Sequence, residues 1–174
     1  MLVAIRDEFG LPVLSDVHYP EQAASAGAAL DVVQIPAYLC MQTDLLEAAA
    51  RTGKPVNVER GQFIALDIMA SAIGKLEASS NRKILLTERG YAFGYNDLVV
   101  DPRSFPLMRS TGYPVVFDIT HSIRRYGIPS ADPRGATREL MPVLARAAVG
   151  AGIDGLFLEC HPDPPTARCD AASP

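Results

Sequence analysis

Six apolar runs along this chain end in side chains able to do chemistry: Asp16 and His18 close the first, Gln34 the second, Asn57 the third, Glu88 and Arg89 the fourth, Asp118 and His121 the fifth, and Glu159 and His161 the sixth. Carboxylates, amides, imidazoles and a guanidinium hydrogen-bond, move protons and hold ions. A lone histidine at such a place is more often a hydrogen-bonded structural residue than a functional one. The recurrence at one end of a repeating unit therefore carries the reading, and it asks what fold would gather such ends.

The runs over 12–18, 32–35, 55–58, 83–89, 114–121 and 154–161 read as strands. Between them, 21–30, 44–52, 68–78, 102–112 and 138–151 read as helices, with Gly53 and Gly152 as stops. Continuous apolar strands alternating with helices point to a parallel sheet covered on both faces, either a doubly wound open sheet or a TIM barrel. An open sheet concentrates its chemistry near one switch point, usually behind a glycine-rich first turn, and no such turn follows the first strand here. A barrel spreads it over the C-terminal ends of many strands. The expected fold class is α/β, an incomplete (β/α)8 TIM barrel with about six of eight units, residues 1–174 forming a single partial domain. The stretch 127–135, with Pro129 and Pro133, reads as a long loop after the fifth strand, either a substrate lid or a surface connection.

Composition narrows the function classes. With 174 residues, 48% of them hydrophobic, the chain can build one sizeable core. A net charge of −4 argues against a nucleic-acid or anionic-membrane surface. Low charge with high apolar content argues against disorder. No run approaches the ~18 apolar residues of a membrane span, and the first residues, charged by Arg6, lack a signal-peptide pattern. Cys40, Cys160 and Cys169 form no CxxC pair, so free thiols in a reducing cytosol are expected.

Nine blocks carry a resemblance: SDVH at 15–18, QIPAYLC at 34–40, QTDLL at 42–46, TGKPVNV at 52–58, GQF at 61–63, LTERG at 86–90, FGYNDLVVD at 93–101, YPVVFDITHS at 113–122 and GLFLECHPDP at 155–164. In this order, over nearly the whole chain, they are similar to the 3-deoxy-manno-octulosonate 8-phosphate synthases, also called 2-dehydro-3-deoxyphosphooctonate aldolases. The resemblance implies a cytoplasmic (β/α)8-barrel transferase, typically a homotetramer, with small-molecule substrates and neither nucleic acid nor membrane as partner. Such enzymes condense phosphoenolpyruvate with arabinose 5-phosphate and water, release phosphate, and serve lipopolysaccharide biosynthesis. Some need a divalent metal (manganese, iron, zinc or cobalt) and others none. Against that template the chain looks cut at both ends, lacking two strands before its start, including the position that separates the metal classes, and a closing helix.

Residue by residue, the resemblance implies that Arg89 binds phosphoenolpyruvate, as a guanidinium suits a planar anion. Asn57 and Gln62 become neutral donors near the substrates, Asp16 a candidate for orienting substrate or a lysine, and His121 a catalytic residue. His121, Glu159 and Asp170 match three of four metal positions, a donor set of one imidazole and two carboxylates that suits a divalent ion. His161 is either a partner behind Glu159 or a turn residue. The chain also departs from the pattern. Glu59 and Arg60 stand where the family has two lysines, leaving Arg60 to compensate as a substrate-binding cation. Met41 replaces an arginine, 64–67 replace Ala-Pro-Trp-Asp, and Arg124 and Arg125 follow the fifth strand. The alternatives are a catalytically inactive barrel fragment, or a related heptulosonate-phosphate synthase.

Overall fold

The computed structural model describes residues 1–93 and 96–172. It contains an element the apolar pattern did not announce, α1 (Leu2–Phe9), none of whose residues is buried. It ends where Gly10 turns to φ 65° and returns its N–H to the Arg6 carbonyl at 2.8 Å. A left-handed residue at this place is what glycine permits cheaply.

From there strands and helices alternate: β1 (Leu14–Asp16), α2 (Ala23–Ala29), β2 (Val32–Ile35), α3 (Thr43–Arg51), β3 (Val56–Glu59), α4 (Met69–Ala78) and β4 (Ile84–Glu88). They continue with β5 (Tyr91–Ala92), β6 (Leu98–Val99), α5 (Ser104–Arg109), β7 (Val115–Asp118), α6 (Met141–Gly150) and β8 (Gly155–Phe157). The sheet order is β1-β2-β3-β4-β7-β8, with β5 and β6 forming a separate antiparallel pair. Each strand of this sheet thus neighbours the sheet strand that follows it along the chain, and the order never reverses. A doubly wound sheet requires a reversal at its switch point, so the fold is an α/β incomplete (β/α)8 barrel, as expected. A GxGxxG string does occur at Gly150, Gly152 and Gly155, but it leads from α6 into β8, opposite to the strand-to-helix turn that holds a dinucleotide.

Two compact units divide the chain inside β4, Met1–Leu86 and the residues from Thr87 onward. In the first, β1, β2 and β3 run parallel, with Leu14 opposite Val32 and Val33 opposite Val56. Val33, Ile35, Val56 and Val58 are buried, as strands covered on both faces require. α3 turns Leu45, Leu46, Ala49 and Ala50 inward, one stripe of a 3.6-residue period. α2 packs so closely that a Cβ on Gly27 would lie 2.7 Å from Thr52 Cβ. Asn81 ties three segments together: its amide donates to the carbonyls of Ala50 (3.0 Å) and Lys54 (2.8 Å), and its oxygen accepts from Lys83 N–H (2.9 Å).

In the second unit β7 and β8 run parallel, Phe117 opposite Leu156, and Phe105 of α5 meets Phe117 edge to face at 5.3 Å. Both units use one device at a strand start: Asp31 accepts Val13 N–H at 2.8 Å, and Asp154 accepts Val115 N–H at 2.8 Å. Asp154 also receives Arg109 at 2.8 Å.

Most strands are shorter than the apolar runs, because the polar ends leave the ladder and enter turns. The β5–β6 hairpin was not expected; Gly94 and Tyr95 of that block lie outside the described residues. The stretch 127–135 holds a short helical turn at Pro133–Gly135, and Arg125 N–H closes its base on the Gly135 carbonyl at 2.8 Å. Among the described residues no helix is long and apolar enough to cross a membrane.

Candidate active site

In the first unit the strand ends form a polar row. Asp16 is the register partner of Gln34, and Gln34 of Asn57, across three adjacent strands. The Asn57 amide donates to Gln34 Oε1 at 2.7 Å, and both side chains are buried. Asp16, at the outer end, is exposed, with His18 Nε2 3.9 Å from its carboxylate. His18 is itself exposed, and its backbone N–H is held by Gln22 Oε1 at 2.8 Å.

Beyond Asn57, the buried Glu59 carboxylate accepts Ala37 N–H at 3.2 Å. Arg60 is fully buried and donates to the carbonyls of Gly61 (2.9 Å) and Ile64 (3.0 Å), so one arm of its guanidinium shapes its own loop. Gln62 is buried with its Oε1 unpartnered among the described residues. Burial pushes the Cys40 thiol up, against the Gly61 N–H and the Arg60 charge. Met41, the replaced arginine, offers its carbonyl to Lys75 Nζ at 3.0 Å. Tyr38 and Phe63, in the blocks after β2 and β3, place exposed rings 6.4 Å apart. Sequence reasoning gave neither of these rings a role.

In the second unit the turn after β7 is built by Asp118. Its wholly buried carboxylate accepts Thr120 N–H at 3.0 Å and His121 N–H at 2.8 Å through Oδ1, and meets His121 Nδ1 at 2.6 Å through Oδ2. Phe157 of β8 stacks on the imidazole at 6.2 Å. His121 Nε2 then faces Glu159 Oε1 at 3.4 Å. Thr120 Oγ1 accepts Glu159 N–H at 2.8 Å, fixing the second residue from the same turn. Asp170, at φ 50°, completes a group: one donor atom each from His121, Glu159 and Asp170 lies within 4.8 Å of the others. An imidazole nitrogen and two carboxylate oxygens at this spacing fit a divalent cation. The Arg124 guanidinium stands 3.3 Å from Asp170.

These surroundings set the ionisation. Burial alone pulls the His121 imidazolium down, but the hydrogen bond and charge of Asp118 outweigh it, aided by Glu159 and opposed by Arg89, and the net shift is upward. Burial, with the charges of Asp170 and Asp118, raises Glu159, against the opposing His121 and Arg124. Arg89, directly after β4, is 7% exposed, and its Nε has no hydrogen-bond partner among the described residues. Its neighbour Gly90 is pinned by an N–H bond to Glu88 Oε1 at 2.6 Å.

The structure therefore brings His121, Glu159 and Asp170 together, sets Asp16 and Asn57 in one row with Gln34, and leaves Arg89 and Gln62 buried with unpartnered atoms. His161 is exposed, its Nδ1 engaged with the backbone of Asp163 in the turn beyond β8, so strand alternation does not relate it to Glu159. Asp118 and Thr120 were not singled out beyond their strand end. Their signal was the spacing: an aspartate three residues before a histidine across a turn can fold back on the ring.

A family model described as the DAHP synthetase I family matches residues 1–174. The chain is 59% identical over 169 residues to a 2-dehydro-3-deoxyphosphooctonate aldolase of Nitratidesulfovibrio vulgaris, covering 97% of this chain and 62% of that protein. Proteins of the same name from Trichlorobacter lovleyi and a Geobacter species are 56% and 54% identical over 170 residues, each match covering 98% of this chain and 62% of the relative. The chain thus spans somewhat under two thirds of the length of these curated relatives.

Proposed function

The chain belongs to the DAHP synthetase I family, and on that premise we propose that it carries phosphoenolpyruvate-condensing machinery of the octulosonate type. The reaction joins phosphoenolpyruvate, arabinose 5-phosphate and water into 3-deoxy-manno-octulosonate 8-phosphate and phosphate. The observation that carries the reading is the convergence of His121, Glu159 and Asp170 in a chain so similar to proteins named for that product.

In the reaction, water adds to C2 of phosphoenolpyruvate while C3 bonds to the sugar's aldehyde carbon, whose oxygen takes a proton. The resulting hemiketal phosphate expels phosphate as its hydroxyl collapses to the ketone and loses its proton. Arg89 holds the anion of phosphoenolpyruvate, because a buried guanidinium whose Nε has no partner among the described residues gains from a planar oxyanion. Asn57, oriented by Gln34, and the amide of Gln62 hydrogen-bond neutral substrate oxygens. Arg60 supplies positive charge while fixing the loop that presents Gln62. Asp16 orients substrate at its exposed row end. Where no ion is bound, His121 places water or the aldehyde through Nε2. Such positioning and charge stabilisation is worth several kcal/mol of barrier. His121, Glu159 and Asp170 would hold a divalent ion of the manganese, iron, zinc or cobalt kind, which supplies Lewis-acid polarisation of an oxygen when bound. The same reading makes the chain one partial barrel domain of a cytoplasmic homo-oligomer.

The test is phosphate release from phosphoenolpyruvate by the purified chain, with arabinose 5-phosphate, with and without manganese, and with erythrose 4-phosphate as control. Release that requires arabinose 5-phosphate is expected. No release with either sugar, from folded protein, sinks the claim for this chain and leaves the inactive fragment.

A further inference from the structure

We propose that Asp118 is a positioning residue that locks His121 in the Nδ1–H tautomer and so dedicates the Nε2 lone pair to whatever cation Glu159 shares. The inference rests on the reading of His121 as a metal-site residue, but its first consequence is visible without metal.

An ionised carboxylate only accepts. Asp118 Oδ1 is committed to two backbone N–H groups, those of Thr120 and His121, and this double clamp in a buried place fixes the carboxylate plane. Among the described residues Oδ2 is left with one hydrogen-bonding partner, His121 Nδ1 at 2.6 Å. That nitrogen must therefore carry the hydrogen. In the neutral ring the lone pair then resides on Nε2, which faces another acceptor, Glu159 Oε1, at 3.4 Å. Two acceptors face to face repel unless positive charge sits between them. Phe157 stacks beside the ring with centroids 6.2 Å apart, and the Thr120 hydroxyl accepts Glu159 N–H at 2.8 Å, tying the second acceptor to the same turn. One turn, 118–121, thus prepares both donors of a cation, and it does so by fixing tautomer and aim rather than by touching the cation. Partners of this kind are worth tenfold to a hundredfold in metal affinity.

The experiment uses the whole 15N-labelled chain stripped with chelator, at alkaline pH where the imidazole is neutral. Long-range proton–nitrogen correlation spectra, assigned with His121→Gln, should show His121 protonated on Nδ1. A ring protonated on Nε2 overturns the proposal, and this measurement needs no Asp118 variant to fold. Asp118→Asn keeps an oxygen for the two backbone N–H groups but turns an N–H donor toward Nδ1. It should move the hydrogen to Nε2 and weaken cobalt binding, read by the visible spectrum of the bound ion, by roughly 100-fold, with unchanged far-ultraviolet dichroism. A variant that keeps the wild-type tautomer, or cobalt affinity within about threefold, overturns it as well. If wild-type chain has the Nδ1–H ring yet takes no cobalt, the metal reading falls and the positioning role stands.

Discussion

Replacing Arg89 with methionine should strengthen the fold and abolish anion binding, two effects that a structural arginine would never combine. Arg89 is 7% exposed, and its Nε finds no partner among the described residues. A buried donor left unsatisfied costs about 1–3 kcal/mol, and methionine fills much of the same volume with apolar contacts. The variant should gain about 1–2 kcal/mol, since some stem packing is lost. For a chain of this size that is a rise of roughly 2–8 °C in melting temperature. Each hydrogen bond to a charged group is worth about 1.5–3 kcal/mol. A guanidinium gripping phosphoenolpyruvate with two of them therefore accounts for roughly 10²–10⁴ in affinity. The assay is calorimetric titration of phosphoenolpyruvate beside a thermal melt. The His121 ring gives an independent reading: the Arg89 charge pulls its pKa down, so Arg89→Met should raise it. A melting temperature that falls by several degrees, with phosphoenolpyruvate binding unchanged, would refute the reasoning and make Arg89 part of the scaffold.

Four further outcomes are expected. In metal-free chain, His121 and Glu159 are both raised above their ordinary values, so both stabilise the fold when protonated. The His121 contribution is complete below about pH 6.5 and disappears as pH rises through its higher folded value; denaturation midpoints should fall over that window, less steeply in His121→Gln. Asn81→Ala strands two carbonyls and an N–H in the first unit, and should cost about 2–4 kcal/mol by urea unfolding. Arg124 stands 3.3 Å from Asp170 and competes for its carboxylate, so Arg124→Ala should tighten cobalt binding roughly threefold to tenfold. Glu59→Gln keeps an acceptor for Ala37 N–H while removing a buried negative charge, and should bind phosphoenolpyruvate several-fold more tightly in calorimetry.

Strand order was readable in the sequence because each β/α unit announces itself by a short apolar run, a polar end and an amphipathic helix. The absence of a glycine-rich first turn already separated barrel from open sheet, and the unreversed order is its counterpart in the fold. The β5–β6 hairpin escaped because its strands are two residues long, too short for any period to register. α1 escaped because it buries none of its residues and lacks a side-chain cap. Among the site residues, His121 and Glu159 were legible as strand ends, and Asp170 only through resemblance. The role of Asp118 depends on a turn that folds its carboxylate over the next three residues, which composition cannot reveal.

The cost of burying polar groups separates those that orient from those that bind. Asp118 and Asn81 are buried and satisfied; each spends its hydrogen bonds on other protein groups and therefore fixes geometry. Arg89 Nε and Gln62 Oε1 are buried and unsatisfied. A domain stabilised by only about 5–15 kcal/mol retains such defects at about 1–3 kcal/mol each when something outside the chain repairs them. Both lie in segments that follow strand ends, where a barrel does its chemistry. The third such atom, Ser104 Oγ, sits at the start of α5, and nothing in the structure explains it. A group that completes Arg89 Nε must bring an acceptor, whereas one that completes Gln62 Oε1 must bring a donor such as a hydroxyl.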